Sequence, residues 1–533
     1  MDEHIPTHEA HGGSQESMAR SARSALLVML TTFASRILGF VKMAVIGSIF
    51  GAGARADVLH LVFVIPNNLR KLLAEGALSS AFIPVVSERI VNDPEGGSAR
   101  DLVRRLLTFQ VLILVPVVGL SIVFAPQVIR VLLDFRDPEQ QDLAVQLFRY
   151  IIPYLLFISI ASVLVGTLNS HERFFVPAVA PLAFSISVIT GIAVFAGRLD
   201  VFAMAAGVLV GGLVQLLLLV PQFRKLGYSF RLLSLGKDPH MRRILIQWLP
   251  VMATAGVYSV NQQIAMRFAS GLDPGSGSAM QNALVFWQLP FGLFSASITT
   301  VLFPRMSRQI ASDDREGVRK TLETGIRYLV GLLVPSAVFL GLFGSETIAA
   351  ALQGGAFTRA DSLLAGDVLG AYSLGLFSVG AYTFVQRYFY ARGDFRTPLV
   401  TSAIVLAIDV ALSLWLKETW LRVRGLAVAH SVAFTVGLCV LLIQVRRSAG
   451  PLDMRSFVST VLRTLLAALG LAVYLLVVKN LLPPVFMDGR SFASIGAVAF
   501  TAIGGAAITL TLMWVLNIEV VTVFLRNRIA RQV

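Results

Sequence analysis

Long uninterrupted apolar runs, each about as long as a bilayer is thick, dominate the sequence. A transmembrane helix needs roughly 20 consecutive apolar residues. Fourteen such segments can be read: 24–50, 57–86, 106–126, 144–168, 176–196, 201–221, 244–269, 278–303, 325–343, 364–389, 398–416, 425–445, 458–482 and 492–516. Only 14% of the 533 residues are charged, and the mean hydropathy is +0.74. A soluble domain carries about 25% charged residues, so a water-soluble globule is excluded, and so is a disordered chain. A membrane β-barrel would alternate polarity over ~10-residue segments, whereas these runs are continuous. The expected fold is an all-α polytopic membrane protein with about 14 transmembrane helices.

An even number of spans puts both termini on one face. With that assignment, 29 Lys and Arg fall on the face of the termini and 12 on the other. The remaining four, Arg36, Lys42, Arg70 and Lys71, lie inside segments one and two. The positive-inside bias makes the basic face cytoplasmic. The net charge of +14 is therefore a topology signal, and no nucleic acid is expected as a partner. Cys439 is the single cysteine, so no internal disulfide and no cysteine-based metal site can form. Residues 1–23 are polar and read as a disordered cytoplasmic tail. They carry His4, His8 and His11, one residue short of HExxH spacing, and no metal site is expected there.

An internal repeat is visible. Pro84, Ser87 and Ile90 recur with the same spacing as Pro304, Ser307 and Ile310. Phe174-x-x-Pro177 recurs as Phe395-x-x-Pro398, at almost the same offset along the chain. Six spans per repeat give two lobes of the same orientation. Such parallel repeats place cargo between the halves. The expected organisation is an N-lobe at 24–224, a C-lobe at 225–447, and two extra helices with a cytoplasmic C-terminus at 448–533.

Charge inside the apolar segments carries the functional signal. A central Arg or Lys costs at least ~2.5–3.5 kcal/mol to insert, so it normally faces a bundle interior or a wet cavity. Arg36 and Lys42 lie on segment one, about 9 Å apart along the axis. Segment two adds Asp57, Asn67, Arg70, Lys71 and Glu75, and Pro66-Asn67-Asn68 is expected to break its helix. Ion pairs such as Arg70 with Glu75 or Arg36 with Asp57 are the plain alternative. Arg binds phosphate oxygens with a planar fork and Lys adds a point charge. The cluster points to an anionic cargo such as a phosphorylated lipid headgroup. No phosphate-binding loop of the G-x-x-x-x-G-K-[ST] type is present. Further along, Asn261-Gln262-Gln263 and Arg267 interrupt segment seven, Asp409 sits mid-segment eleven and His430 early in segment twelve. Carboxylates at such depth commonly couple to a cation or proton, which makes Asp409 and His430 the candidates for a coupling site. The plain alternative is a satisfied interior pair.

The stretches SRILGF (35–40), FGAGARAD (50–57), PNNLR (66–70), AEGALSSAFIP (74–84), NSHERF (169–174), QLPFGLF (288–294), TVLFPRMSR (300–308), AYSLGLF (371–377) and GDFRTP (393–398) together resemble the MurJ (MviN) family of lipid II flippases in the MOP exporter superfamily. The resemblance implies two six-helix lobes plus two extra helices and alternating access. The implied cargo is an undecaprenyl-pyrophosphate-linked disaccharide-pentapeptide, with a groove for its lipid tail along the extra helices. It implies no enzymatic step and no cofactor beyond a coupling cation, Na+ or H+, or the membrane potential. Implied partners are membrane lipids and cell-wall synthesis enzymes, in the bacterial inner membrane. By position, Arg36 and Arg70 match basic residues of the family and Asp57 the acid after FGAG. The substrate-binding set expected is Arg36, Lys42, Arg70, Asp57, Asn67 and Glu75. The chain departs from the family in four places: Lys42-Met43 where Arg-Asp is usual, Val285 in place of an Arg, Ala265 in place of an acid, and Asp409 where Asn is common. Arg267, expected near the outer end of its segment, is the candidate replacement for the missing charge. These departures keep open another isoprenoid-linked oligosaccharide as cargo. A membrane enzyme acting on polyprenyl phosphates would need paired intramembrane carboxylates, and none stands at ligand spacing. A scaffold for synthesis enzymes is the remaining alternative.

Overall fold

The structure is a computed structural model and describes residues 30–31, 33–73, 77–93, 97–231, 233–234, 238–481 and 489–522. The polar N-terminal stretch and Glu75 lie outside the described residues. Helices account for nearly all of what is described. In order they are α1 (Phe33–Phe50), α2 (Ala54–Leu73), α3 (Ala77–Asn92), α4 (Gly97–Val123), α5 (Ala125–Leu132), α6 (Pro138–Ile151), α7 (Tyr154–Ser170), α8 (Phe175–Leu199), α9 (Phe202–Lys225) and α10 (Pro239–Ser270). They continue with α11 (Ser276–Pro290), α12 (Ala296–Ala311), α13 (Arg315–Leu352), α14 (Arg359–Ser373), α15 (Leu376–Ala391), α16 (Arg396–Leu416), α17 (Val423–Ala449), α18 (Met454–Leu481) and α19 (Phe492–Val515). A single π-turn, Phe291–Ser295, joins α11 to α12.

Among the described residues, eleven helical stretches are long and apolar enough to cross a membrane, or twelve if α14 and α15, bent by 46°, form one span. The count of fourteen is thus not reached. Segments 57–86 and 244–269 stand outside this count of the described residues: α2 carries Arg55, Asp57, Arg70 and Lys71 among its apolar residues, and α10 is helical throughout Pro239–Ser270. The expected break at Pro66 is corrected as well, since α2 runs unbroken through it to Leu73. A proline removes one backbone bond, and neighbouring packing in a membrane helix re-satisfies the freed carbonyl.

The helix starts repeat along the chain. α6, α8 and α9 begin at Pro138, Phe175 and Phe202, and α14, α16 and α17 begin at Arg359, Arg396 and Val423. The three pairs share one constant offset, the one at which Phe174-x-x-Pro177 recurs.

Contacts divide the chain into two compact units. The first holds the described residues up to Val45, with Phe63–Val128 and Val145–Ala255; the second holds Ile46–Val62, Ile129–Ala144 and everything from Gly256 on. The first unit is built on a core of Phe82, Val85, Leu106, Leu164 and Phe223 from α3, α4, α7 and α9, with Tyr228 of the following linker. Its α8 and α9 meet at glycines. A Cβ on Gly191 would stand 2.8 Å from the Gly207 Cα, so the two backbones touch as small-residue membrane interfaces do.

In the second unit the 38-residue α13 packs along α14 and α18. Asp314 caps α13, and Thr358 with Asp361 forms a capping box on α14. The last two helices are held to α13 by Phe343 against Leu471 and Leu475, and by two ion pairs: Arg327–Glu519 at 2.8 Å and Lys479–Glu346 at 2.7 Å.

Candidate functional site

In the first unit, α1 presents Arg36 on an exposed face and Lys42 half-buried, its Nζ 5.5 Å from the Phe63 ring centroid on α2. Arg70 and Lys71 are half-buried on the last turn of α2, and Lys42 and Arg70 stand close enough to repel one another. Bringing two cations together beside apolar residues costs energy that an arriving anion recovers. Asn67 is half-buried in the same turn. Asn68, which sequence reasoning did not single out, is 5% exposed, and its amide makes no hydrogen bond among the described residues. An amide one position after the expected Asn67 was the available signal.

Asp57 has a different task from the one expected. It lies on the part of α2 that belongs to the second unit, is 3% exposed, and accepts Gly275 N–H at 2.7 Å and Ser278 N–H at 2.6 Å. Both carboxylate oxygens are therefore taken by the first turn of α11, where orphan backbone donors favour an anion. In this conformation Asp57, expected in the cargo-binding set, holds a helix terminus. Arg267 is likewise engaged. Its guanidinium donates to the Arg130 and Val131 carbonyls at the end of α5 and lies 3.4 Å from Asp134. It caps a helix C-terminus and leaves the position of Val285, half-buried on α11, without a substitute charge.

The coupling candidates do come together in the second unit. Asp409 Oδ2 accepts Asn261 Nδ2 at 2.9 Å and stands 3.2 Å from His430 Nδ1, while Ser413 Oγ donates to Oδ1 at 3.3 Å. His430 lies edge-on to Tyr372, with ring centroids 5.6 Å apart. Ser413 escaped the sequence reading, although a hydroxyl four residues after an intramembrane Asp on one helix faces the same side.

The polar stretches outside the spans prove architectural. In GDFRTP, Asp394 accepts from Arg396 N, Thr397 N and Thr397 Oγ1, capping α16. Burial pushes its carboxyl up, but those hydrogen bonds outweigh it and hold it below the usual value. Asp238 caps α10 through His240 N and takes an ion pair from Arg89 at 3.2 Å. Burial again opposes, and the donors with Arg89 win, lowering its pKa. In NSHERF, His171 Nε2 is 2.9 Å from Tyr228 Oη.

A family model described as lipid II flippase MurJ matches residues 46–495. The chain is 30% identical to a protein of Borreliella burgdorferi named probable lipid II flippase MurJ, over 83% of this chain and 87% of that one. A protein of the same name in Rhizobium tropici is 32% identical over 75% and 76%. Among solved structures, one titled lipid II flippase MurJ, inward closed conformation, superposes with a TM-score of 0.76 at 26% identity, covering 95% of this chain and all of that one. An inward-facing multidrug transporter of the MATE family superposes at 0.66 with 16% identity, which shows the fold alone. With a family model over most of its length and a relative at 30% identity across 83% of it, the chain belongs to the lipid II flippase MurJ family.

Proposed function

We propose that this protein moves lipid II from the cytoplasmic to the outer leaflet of the bacterial inner membrane by alternating access, with both termini cytoplasmic. The observation that carries the reading is that Lys42 on α1 and Arg70 on α2 are half-buried cations of one unit, in apolar helices. A pyrophosphate would meet both charges there, with Asn67 one turn from Arg70 and Arg36 further along α1. The act leaves every covalent bond of the cargo intact, so the protein is a carrier and not an enzyme. The drive is a coupling cation or the membrane potential, which is worth ~2.3 kcal/mol per charge per 100 mV. Enzymes that make or consume lipid II are the partners this reading implies. Membrane lipids surround the carrier on all sides.

The test is a protection assay in proteoliposomes containing labelled lipid II. Each charge-assisted contact to the pyrophosphate is worth ~1.5–3 kcal/mol. Replacing Arg70 or Lys42 by Ala should therefore slow transfer roughly ten- to a hundred-fold at equal protein incorporation. Unchanged rates in both variants would remove these residues from the cargo site, and a chemically altered lipid II would replace the carrier with an enzyme. The half-buried Val285 favours a second reading, another isoprenoid-linked oligosaccharide, because α11 brings no charge there. Competition between that lipid and lipid II in the same vesicles separates the two.

A further inference from the structure

The geometry points to a proton as the coupling ion, taken up by the Asp409–His430 pair inside a cluster completed by Asn261 and Ser413, at a site that does not accept Na+. The inference rests on the carrier reading above and names its ion.

Asp409 is 4% exposed, and three neighbours already use its oxygens. Asn261 donates to Oδ2 at 2.9 Å, His430 Nδ1 stands 3.2 Å from that same oxygen, and Ser413 donates to Oδ1 at 3.3 Å. Hard cations want a shell of oxygen ligands. Here two of the three neighbours of the carboxylate present nitrogen, and N–H groups aimed at it repel a metal ion placed between them. Ala265, one turn beyond Asn261 on α10, supplies no oxygen. Among the described residues no group of three or more His, Cys, Asp and Glu assembles anywhere.

The same arrangement suits a proton. With Asp409 ionised the carboxylate can only accept, so the hydrogen facing it then sits on His430 Nδ1 and that state of the pair carries a net charge of −1. One proton added at His430 Nε2 gives an imidazolium–carboxylate pair of net charge zero. No other bond forms or breaks. A lone buried charge is costly, so the closed, dry state favours uptake and a wetted state favours release. The groups packed around the pair are Ser413 on its own helix, Asn261 on α10 and, edge-on to His430 of α17, Tyr372 on α14, with Tyr372 within electrostatic reach of both Asp409 and Tyr258. Lys417, two turns further along α16, pairs with Glu418 and covers the Phe268 ring. Protonation thus resets the grip of α16 on α10 and α17 at one point.

Two measurements test this on the full-length protein in phosphatidylethanolamine–phosphatidylglycerol vesicles. The first is infrared difference spectroscopy without lipid II, stepping from about pH 8 to about pH 5.5 across the ordinary histidine value of ~6.5. Wild type should give imidazole and carboxyl bands on the pH step and none on a Na+-for-K+ exchange at fixed pH. The carboxyl component should vanish in Asp409→Asn and the imidazole component in His430→Gln, with both variants eluting as monodisperse protein. Bands evoked by Na+, or pH-step bands that persist in both variants, overturn the proton site. The second measurement drives labelled lipid II with an imposed pH gradient or an imposed Na+ gradient. Each unit of pH should shift cargo distribution up to about tenfold per proton, and the Na+ gradient should shift nothing. A Na+-driven shift overturns the inference. Wild-type bands with no lipid II movement under any gradient leave the proton site standing and refute the carrier reading.

Discussion

Asp57 and the glycines around it form one joint. Gly51 has φ +69°, and a Cβ there would meet the Ala356 carbonyl oxygen at 2.8 Å. Gly275 has φ +96°, and a Cβ there would meet the Ala52 carbonyl oxygen at 2.9 Å. Only glycine fits both demands, of a left-handed turn and of a backbone pressed against another. Asp57 then locks the turn by accepting the N–H groups of Gly275 and Ser278. Removing the carboxylate leaves two buried donors without partners. Asp57→Ala should cost ~1.5–3 kcal/mol, and Asp57→Asn, which keeps one acceptor oxygen, about half that. Thermal unfolding in detergent reads the order wild type, Asn, Ala. A reversed order, or equal midpoints, would mean the carboxylate serves something other than the start of α11. The sequence showed an acid in an apolar helix and nothing of its partner, because the donors are backbone groups more than two hundred positions away and carry no side-chain signature. The same blindness hid the engagement of Arg267 with carbonyls of α5.

Helices announce themselves through apolar runs, but the segments between them do not, and the linker after α9 shows why. Its side chains look like ordinary loop polarity, yet Ser229 Oγ accepts from Arg104, Leu233 N–H donates to Thr108 Oγ1, the Ser234 carbonyl accepts from Arg105, and Tyr228 meets His171. The linker is laid along α4 by contacts from positions distant in sequence. Burial, then the charges of Arg173 and Arg100, lower the pKa of His171, and burial pushes Tyr228 up to about 12 against the opposing pull of Arg100. The docked histidine therefore holds its proton less tightly than an undocked one. Its contribution is present above the ordinary value of ~6.5 and is lost as pH falls from there through the lowered value. Hydrogen exchange of the Leu233 amide, corrected for intrinsic rate, should accelerate between about pH 7.5 and about pH 5.5, and His171→Gln should flatten that dependence. An unchanged protection factor in wild type would show that the His171–Tyr228 contact does not hold the linker.

Membrane architecture was legible because apolar length and cationic bias are summed over hundreds of residues and tolerate local error. The repeat survives in the helix starts, where α16 answers α8 and α17 answers α9 at one shared offset. Segments two and seven stand outside the count made on the described residues; α2 carries Arg70 and Lys71 among its apolar residues, and α10 carries Asn261 and Arg267. A helix that must hold charge for function or capping loses the apolarity by which a span is recognised. If both polar helices do cross, with α14 and α15 as one bent span, fourteen crossings return the chain to the side on which it began, and the 29-to-12 bias of Lys and Arg sets that side as cytoplasmic. If either polar helix lies flat, the parity changes and the face of every later connection inverts. Fusions to alkaline phosphatase, which is active only outside the cytoplasm, decide between these. A fusion after Arg231 precedes the second polar helix and reads the first alone. Fusions after Glu418 and after Thr522 follow both. With two crossings the expected pattern is inactive after Arg231, active after Glu418 and inactive after Thr522. Activity after Arg231 removes the crossing by α2 and α3; inactivity after both Arg231 and Glu418, with activity after Thr522, removes the crossing by α10. Either result would place Arg70, or Asn261, in a helix that does not span, and the cargo or ion site built on it would have to be abandoned.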